Sequence, residues 1–275
     1  MPKSNLAVRL LTAGIAAPLL LLIMFKGPPV AFGVVVILAS LLGSREVLQM
    51  THPADAVAQW IGVASSVAVT ATIALAGDDP RLVIAVLVAL PLFGMLMPLV
   101  RLGEIPTAGM RIMAGGAVPI YVGATLGMLG RLRAASDDGA GWVLLVLMLG
   151  WFGDTGGYFF GRFLGKTKLY EAVSPKKTRA GLVGAVVGAL AGAVLAAEWY
   201  LPRLPVTDAL LLGGVSGLLG QAGDLTESLL KRSTGVKDSG SLLPGHGGIL
   251  DRIDAVLVLA PLVYLYTVFR FGRLG

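Results

Sequence analysis

Three polar stretches interrupt an otherwise apolar chain, and each combines residue types suited to handling phosphate. The longest runs from Gln221 to Asp254. In helical conformation Asp224, Glu227, Ser228 and Lys231 fall at i, i+3, i+4 and i+7, on one face. That face carries two carboxylates, a hydroxyl and an ammonium. Arg232 and Lys237 follow, and Pro244 with Gly245, Gly247 and Gly248 then breaks the chain into a turn-rich loop around His246. A new helix is predicted to start near Asp251, with Arg252 next to it and Asp254 three residues on. Two carboxylate-bearing helix ends joined by a glycine-rich loop suit a hard divalent cation. Mg²⁺ takes oxygen ligands and usually binds through one or two carboxylates plus substrate phosphates. The glycines let backbone N–H groups approach phosphate oxygens. The plainer reading of Asp251 and Asp254 is that the helix dipole favours aspartate at a helix start. His246 has no cysteine and no second histidine near it in sequence, which argues against zinc and leaves phosphate contact and loop ordering as its two roles.

The second stretch is Ser174-Pro175-Lys176-Lys177-Thr178. Two adjacent ammonium groups beside two hydroxyls make a phosphate-binding set, because lysine acts on phosphate as a compact point charge. The alternative is a basic loop that sets topology and attracts anionic lipid; Arg162, Lys166 and Lys168 are read as plain charge of that kind. The third stretch, Trp151 to Tyr158, places Asp154 inside an apolar run. A carboxylate at the centre of a membrane helix costs ~2.5–3.5 kcal/mol, so such residues usually face a cavity or partner and do work there. The bland alternative is an interfacial cap.

The elements that must position these groups are membrane helices. The chain has 275 residues, 56% hydrophobic and only 14% charged, whereas a soluble domain carries about 25% charged residues. Nine apolar runs are long enough, or nearly so, to cross a bilayer: roughly 8–25, 30–44, 57–76, 81–100, 112–130, 142–161, 181–200, 208–223 and 255–271. The eighth runs straight into the Gln221 stretch, as a broken or cavity-lining helix would. The runs are continuous, without the period-two alternation of a barrel. The fold class is therefore all-α, a polytopic transmembrane bundle of about nine spans. The 38 glycines fit close helix approach. With the N-terminus placed in the cytoplasm, inside loops hold roughly twice as many Lys and Arg as outside loops. The net charge of +6 then reflects membrane topology and gives no reason to invoke nucleic acid. With no cysteine, disulfides, thiolate metal sites and cysteine nucleophiles are excluded. The first run lacks a clear small-residue cleavage site and is read as a retained helix. The chain reads as one integral membrane domain, 1–275, with scaffold helices in 1–140 and the chemistry in 141–275.

The stretch from Ser228 to Asp254 resembles the phosphatidate cytidylyltransferase (CDP-diacylglycerol synthase) family. Its pattern is Ser, two residues, Lys-Arg, four residues, Lys-Asp, then Pro or Gly with His-Gly-Gly, and Asp-Arg, an apolar residue and Asp. The sequence S-L-L-K-R-S-T-G-V-K-D-S-G-S-L-L-P-G-H-G-G-I-L-D-R-I-D follows it over 27 residues without departure. Gly153-Asp154-Thr155, Ser174 to Thr178 and Gln221 to Asp224 also look like family elements, whereas 1–140 matches only as a generic set of spans. The resemblance implies an Mg²⁺-dependent enzyme, using one metal ion or two, that converts CTP and phosphatidic acid to CDP-diacylglycerol and pyrophosphate. It implies that Asp224 and Asp251 hold metal and that Lys176 and Lys177 belong to the basic loop. Lys177 and Lys231 are then the catalytic cations. Ser174, Lys176, Ser228, Arg232, Lys237, His246, Gly247, Gly248 and Arg252 bind substrate, with Asp154, Glu227 and Asp254 behind them. The expected setting is the bacterial cytoplasmic membrane, active site facing the cytoplasm, with a homodimer as the assembly. Other readings are a CTP-dependent lipid or polyprenol kinase, a synthase acting on archaeal ether lipids, and, in another class, a secondary transporter. A pure scaffold would carry buried carboxylates at a stability cost and without use.

Overall fold

The structure is a computed structural model that describes residues 4–240 and 247–272, with side chains from Gly14 onward. It is predominantly helical and divides into two compact units, 1–134 with 236–253 and 135–235 with 254–275. Seven helical segments among the described residues are long and apolar enough to cross a membrane. The protein is a polytopic, α-helical integral membrane protein.

The first unit contains α1 (Ser4–Lys26), α2 (Pro29–Thr51), α3 (Ala56–Ala76), α4 (Pro80–Val100), α5 (Ala108–Val118) and α6 (Thr125–Ala134). The starts of α2, α3 and α4 use local devices. Pro29 and Pro80 open α2 and α4, where a missing N–H costs nothing, and the Asp55 and Asp79 carboxylates accept the first N–H groups of α3 and α4. The predicted run 112–130 is not one regular helix, because a π-helical segment at Pro119–Ala124 joins α5 to α6. Proline removes a backbone donor there, and the Thr125 hydroxyl donates to the Tyr121 carbonyl at 2.6 Å. Small and hydroxylated residues hold these helices together. Thr70 Oγ1 lies 2.7 Å from Ser40 Oγ and 2.9 Å from the Gly123 carbonyl, joining α2, α3 and the π segment. Arg133 reaches from α6 to the Met24 carbonyl in the last turn of α1 (2.7 Å) and to the Gly27 carbonyl just beyond it (3.0 Å).

The second unit contains α7 (Gly139–Leu164), a hairpin of β1 (Lys168–Tyr170) and β2 (Ser174–Thr178), α8 (Arg179–Trp199), α9 (Val206–Ser233) and the part of α10 (Leu250–Phe271) beyond Ile253. α7 and α8 meet through glycine. A Cβ on Gly156 would collide with the Gly184 carbonyl, and one on Gly188 with the Phe152 carbonyl. Such backbone approach is what small residues permit in membrane helices. α9 lies against α8 in the same way, with Gly217 against Val186. At Gly223 a Cβ would come within 3.2 Å of the Asp254 carbonyl, which brings α10 close to α9 beside Asp224.

Candidate active site

The turn from β2 into α8 is fixed by Thr178, whose side chain caps α8 by accepting the Gly181 N–H at 3.0 Å. The basic stretch, expected as a loop, is thus an antiparallel strand paired to β1, and Lys168 Nζ donates to the Pro175 carbonyl at 2.5 Å. This strand forms one wall of a cavity of about 430 Å³ within the second unit. Ser174, Lys176, Lys177 and Thr178 line it from β2, Asp154, Tyr158 and Arg162 from α7, and Gln221 and Asp224 from α9. Lys177 sits between helix and strand. Its ammonium is 2.6 Å from Asp224 Oδ2 and 3.0 Å from Gln221 Oε1. Asp224 Oδ1 accepts from the Ser228 hydroxyl at 3.3 Å, which is the expected i, i+4 partnership. Asp254 is within electrostatic reach of Asp224, Asp154 and Lys177. Four of the polar groups singled out from the sequence, on three helices and a strand, therefore share one neighbourhood.

Further along α9 the roles differ. Glu227 is buried and Lys231 lies 3.1 Å from its carboxylate, so in this state the ammonium is engaged by its own helix. Arg232 is exposed. Lys237, Gly247, Gly248, Asp251 and Arg252 belong to the first unit. There Asp251 Oδ2 accepts the Gly248 N–H at 2.9 Å and the Ser239 hydroxyl at 3.0 Å. The Gly248 N–H, expected to approach phosphate, is engaged by this carboxylate. His246 lies outside the described residues. Arg162, read from the sequence as plain charge, lines the cavity and donates to the Tyr158 hydroxyl at 2.5 Å. Its i, i+4 spacing from Tyr158 was the available signal.

Among the described residues no group of three or more His, Asp and Glu side chains is arranged to hold a metal ion. Mg²⁺ needs no such group, since one or two carboxylates with substrate phosphates suffice. The side chains gathered around Lys177 offer oxygen donors only, which fits a hard cation.

Comparison with known proteins adds to this geometry. The chain matches the cytidylyltransferase family over residues 7–270. It belongs to that family. Among individual relatives it is 52% identical over 120 residues to a phosphatidate cytidylyltransferase of Synechocystis sp., a match covering 43% of this chain and 40% of the relative. A phosphatidate cytidylyltransferase of Bacillus subtilis is 41% identical over 148 residues, 53% of this chain and 54% of the relative. One of Brucella suis is 42% identical over 153 residues, again 53% and 54%. The chain spans about half the length of the curated relatives it matches or less.

Proposed function

We propose that the protein transfers the cytidylyl group of CTP to phosphatidic acid at the cytoplasmic face of a bacterial membrane. The products are CDP-diacylglycerol, which stays in the bilayer, and pyrophosphate. The observation that carries this reading is the Lys177–Asp224–Gln221 constellation in a cavity whose volume falls within the range of about 300–1,000 Å³ typical of small-molecule sites. Membership of the cytidylyltransferase family supports it, as do the names of the relatives.

A phosphate oxygen of phosphatidate forms a bond to the α-phosphorus of CTP, and the bond from that phosphorus to the bridging oxygen breaks as pyrophosphate leaves. A phosphate monoester is already ionised near neutral pH, so no strong base is required. The obstacle is repulsion between two anions. Bound Mg²⁺ would neutralise phosphate oxygens and align the displacement. Asp224 and Asp251 are the residues assigned to hold it, with Asp154, Asp254 and Glu227 behind them. Lys177 and Lys176 attract the triphosphate from β2, helped by Ser174, while Lys231, Arg232, Lys237, His246, Arg252 and the backbone of Gly247 complete the phosphate-binding set with Ser228. Without substrate the Lys177 ammonium neutralises Asp224; with substrate, in this scheme, it would bind a phosphate oxygen. Most of the acceleration then comes from positioning and charge stabilisation. The arrangement we assign is nine spans with the N-terminus inside, scaffold helices in 1–140, chemistry in 141–275, and a homodimer.

The test uses purified protein in detergent with CTP, phosphatidate and Mg²⁺. The reading expects CMP attached to lipid, and loss of turnover in Asp224→Asn and Asp251→Asn. Phosphate transfer with release of CDP would make the protein a kinase instead, and wild-type turnover in both variants would remove the metal assignment.

A further inference from the structure

Glu46 has no part in the chemistry above, and its partner Ser239 lies 193 residues away along the chain. It is buried in α2, with 6% of its surface exposed. A carboxylate so placed is costly unless its oxygens are satisfied. Three donors from the 236–253 segment converge on it. Oε1 accepts the Ile249 N–H at 2.8 Å, and Oε2 accepts the Leu250 N–H at 2.9 Å and the Ser239 hydroxyl at 2.8 Å. The Ile249 and Leu250 N–H groups lie at the open start of α10, so Glu46 does from another helix what a capping residue does locally.

The same cluster holds Asp251. The Ser239 N–H is 3.2 Å, the Ser239 hydroxyl 3.0 Å and the Gly248 N–H 2.9 Å from Asp251 Oδ2. Ser239 has one hydroxyl proton and two carboxylates within reach, which ties the two acids to one another. The surrounding backbone is bare because the grip is tight. A Cβ on Gly240 would stand 2.7 Å from Glu46 Oε1, and one on Gly248 would collide with Glu46 Oε2 and Ser239 Oγ.

We infer that Glu46 is the positioning residue for Asp251. By gripping the first N–H groups of α10 and sharing Ser239, it fixes where the Asp251 carboxylate stands. The inference rests on the reading of Asp251 as a cation-holding group.

The experiment uses the full-length protein in detergent and the variants Glu46→Gln, Ser239→Ala and Asp251→Asn. Glutamine keeps the shape of Glu46 but sets an N–H₂ against an N–H donor whichever way its amide turns. The expected result is hydrogen exchange about tenfold faster or more in the peptide containing Ile249 and Leu250, equivalent to one lost bond to a charged group. The Mg²⁺ concentration for half-maximal turnover is expected to rise about tenfold as well, with the KM for phosphatidate at saturating Mg²⁺ moving less than about twofold. Ser239→Ala is expected to move both readouts in the same direction by less, and it decides the matter if Glu46→Gln does not fold. Unchanged exchange overturns the grip. Faster exchange with an unchanged Mg²⁺ requirement overturns the positioning role and leaves Glu46 a purely structural residue. An unchanged Mg²⁺ requirement in Asp251→Asn overturns the assignment of Asp251 itself, and is told apart because the exchange arm does not depend on it.

Discussion

Lys177 is the residue on which the proposed chemistry bears most directly. Its side chain is 15% exposed and its ammonium stands 2.6 Å from an Asp224 carboxylate that is 33% exposed. Replacement by methionine keeps the apolar stem and removes the charge, with two consequences of different size. The first is structural. Two unit charges ~4 Å apart interact by about 4 kcal/mol at an effective dielectric of 20, but water reaches a third of Asp224 and solvates it once the partner is gone, so the net loss of stability is ~1–2 kcal/mol. The second is functional. A charge-assisted hydrogen bond from an ammonium to a phosphate oxygen contributes ~1.5–3 kcal/mol, which corresponds to a fall in kcat/KM for CTP of about 10- to 100-fold. The Asp224 carboxylate remains, so the Mg²⁺ requirement is expected to shift by less than about threefold. Lys177→Arg is expected to restore little, because a planar fork does not fit where a compact ammonium bridges a carboxylate and an amide. The assay is incorporation of labelled CTP into organic-extractable lipid in mixed micelles, with CTP varied at saturating phosphatidate. If kcat/KM stays within twofold in a monodisperse Lys177→Met protein, the role of Lys177 is refuted. A shift in Mg²⁺ requirement larger than the shift in KM for CTP would move its role from nucleotide to metal.

Two further outcomes follow from the helix contacts and from the loops. In Gly184→Ala the new Cβ would collide with the Gly156 carbonyl and with Phe160, pushing α7 from α8 and opening the cavity wall; a loss of ~1–3 kcal/mol and reduced turnover are expected, whereas Gly220→Ala, with open space at its Cβ, is expected to be near neutral. Thermal unfolding followed by tryptophan fluorescence reads both, and equal effects would refute the packing argument. Asp55 caps α3 and pairs with Arg101, 2.8 Å away, and that hydrogen bond, with the Ala58 N–H adding to it, holds its carboxyl below the usual carboxylate range. A carboxyl depressed in the folded state stabilises above its unfolded pKa of about 4 and loses that contribution as pH falls through the folded value. The Tm gap between wild type and Asp55→Asn is therefore expected to narrow as pH is lowered from 6 towards 3, and a gap constant over that range would refute the pairing.

Much of this protein was legible in its sequence because the bilayer imposes a one-dimensional rule. A segment that crosses lipid must be helical to satisfy its backbone and apolar in its side chains to suit the hydrocarbon, and each of the nine apolar runs corresponds to helical structure. The run 208–223 extends through the polar face to Ser233 because the Asp224, Glu227, Ser228 and Lys231 spacing is itself helical. Several of the polar residues that line the cavity were legible too, since Asp154, Ser174, Lys176, Lys177 and Asp224 stand out as polar interruptions of an apolar chain.

What the tertiary structure alone decided was which of these groups meet. Adjacent lysines look alike in sequence and both line the cavity, yet Lys176 is exposed while Lys177 is partly buried against Asp224, 47 residues on. Arg162 looked like topology-setting charge until α7 and the hairpin placed it on the cavity wall. Glu46 gave no signal at all: it stands just past the apolar run 30–44, beside Arg45, with no acidic partner at helical spacing. Its meaning comes from three hydrogen-bond donors distant in the chain, and a hydrogen bond depends on distance in space, which sequence separation does not encode.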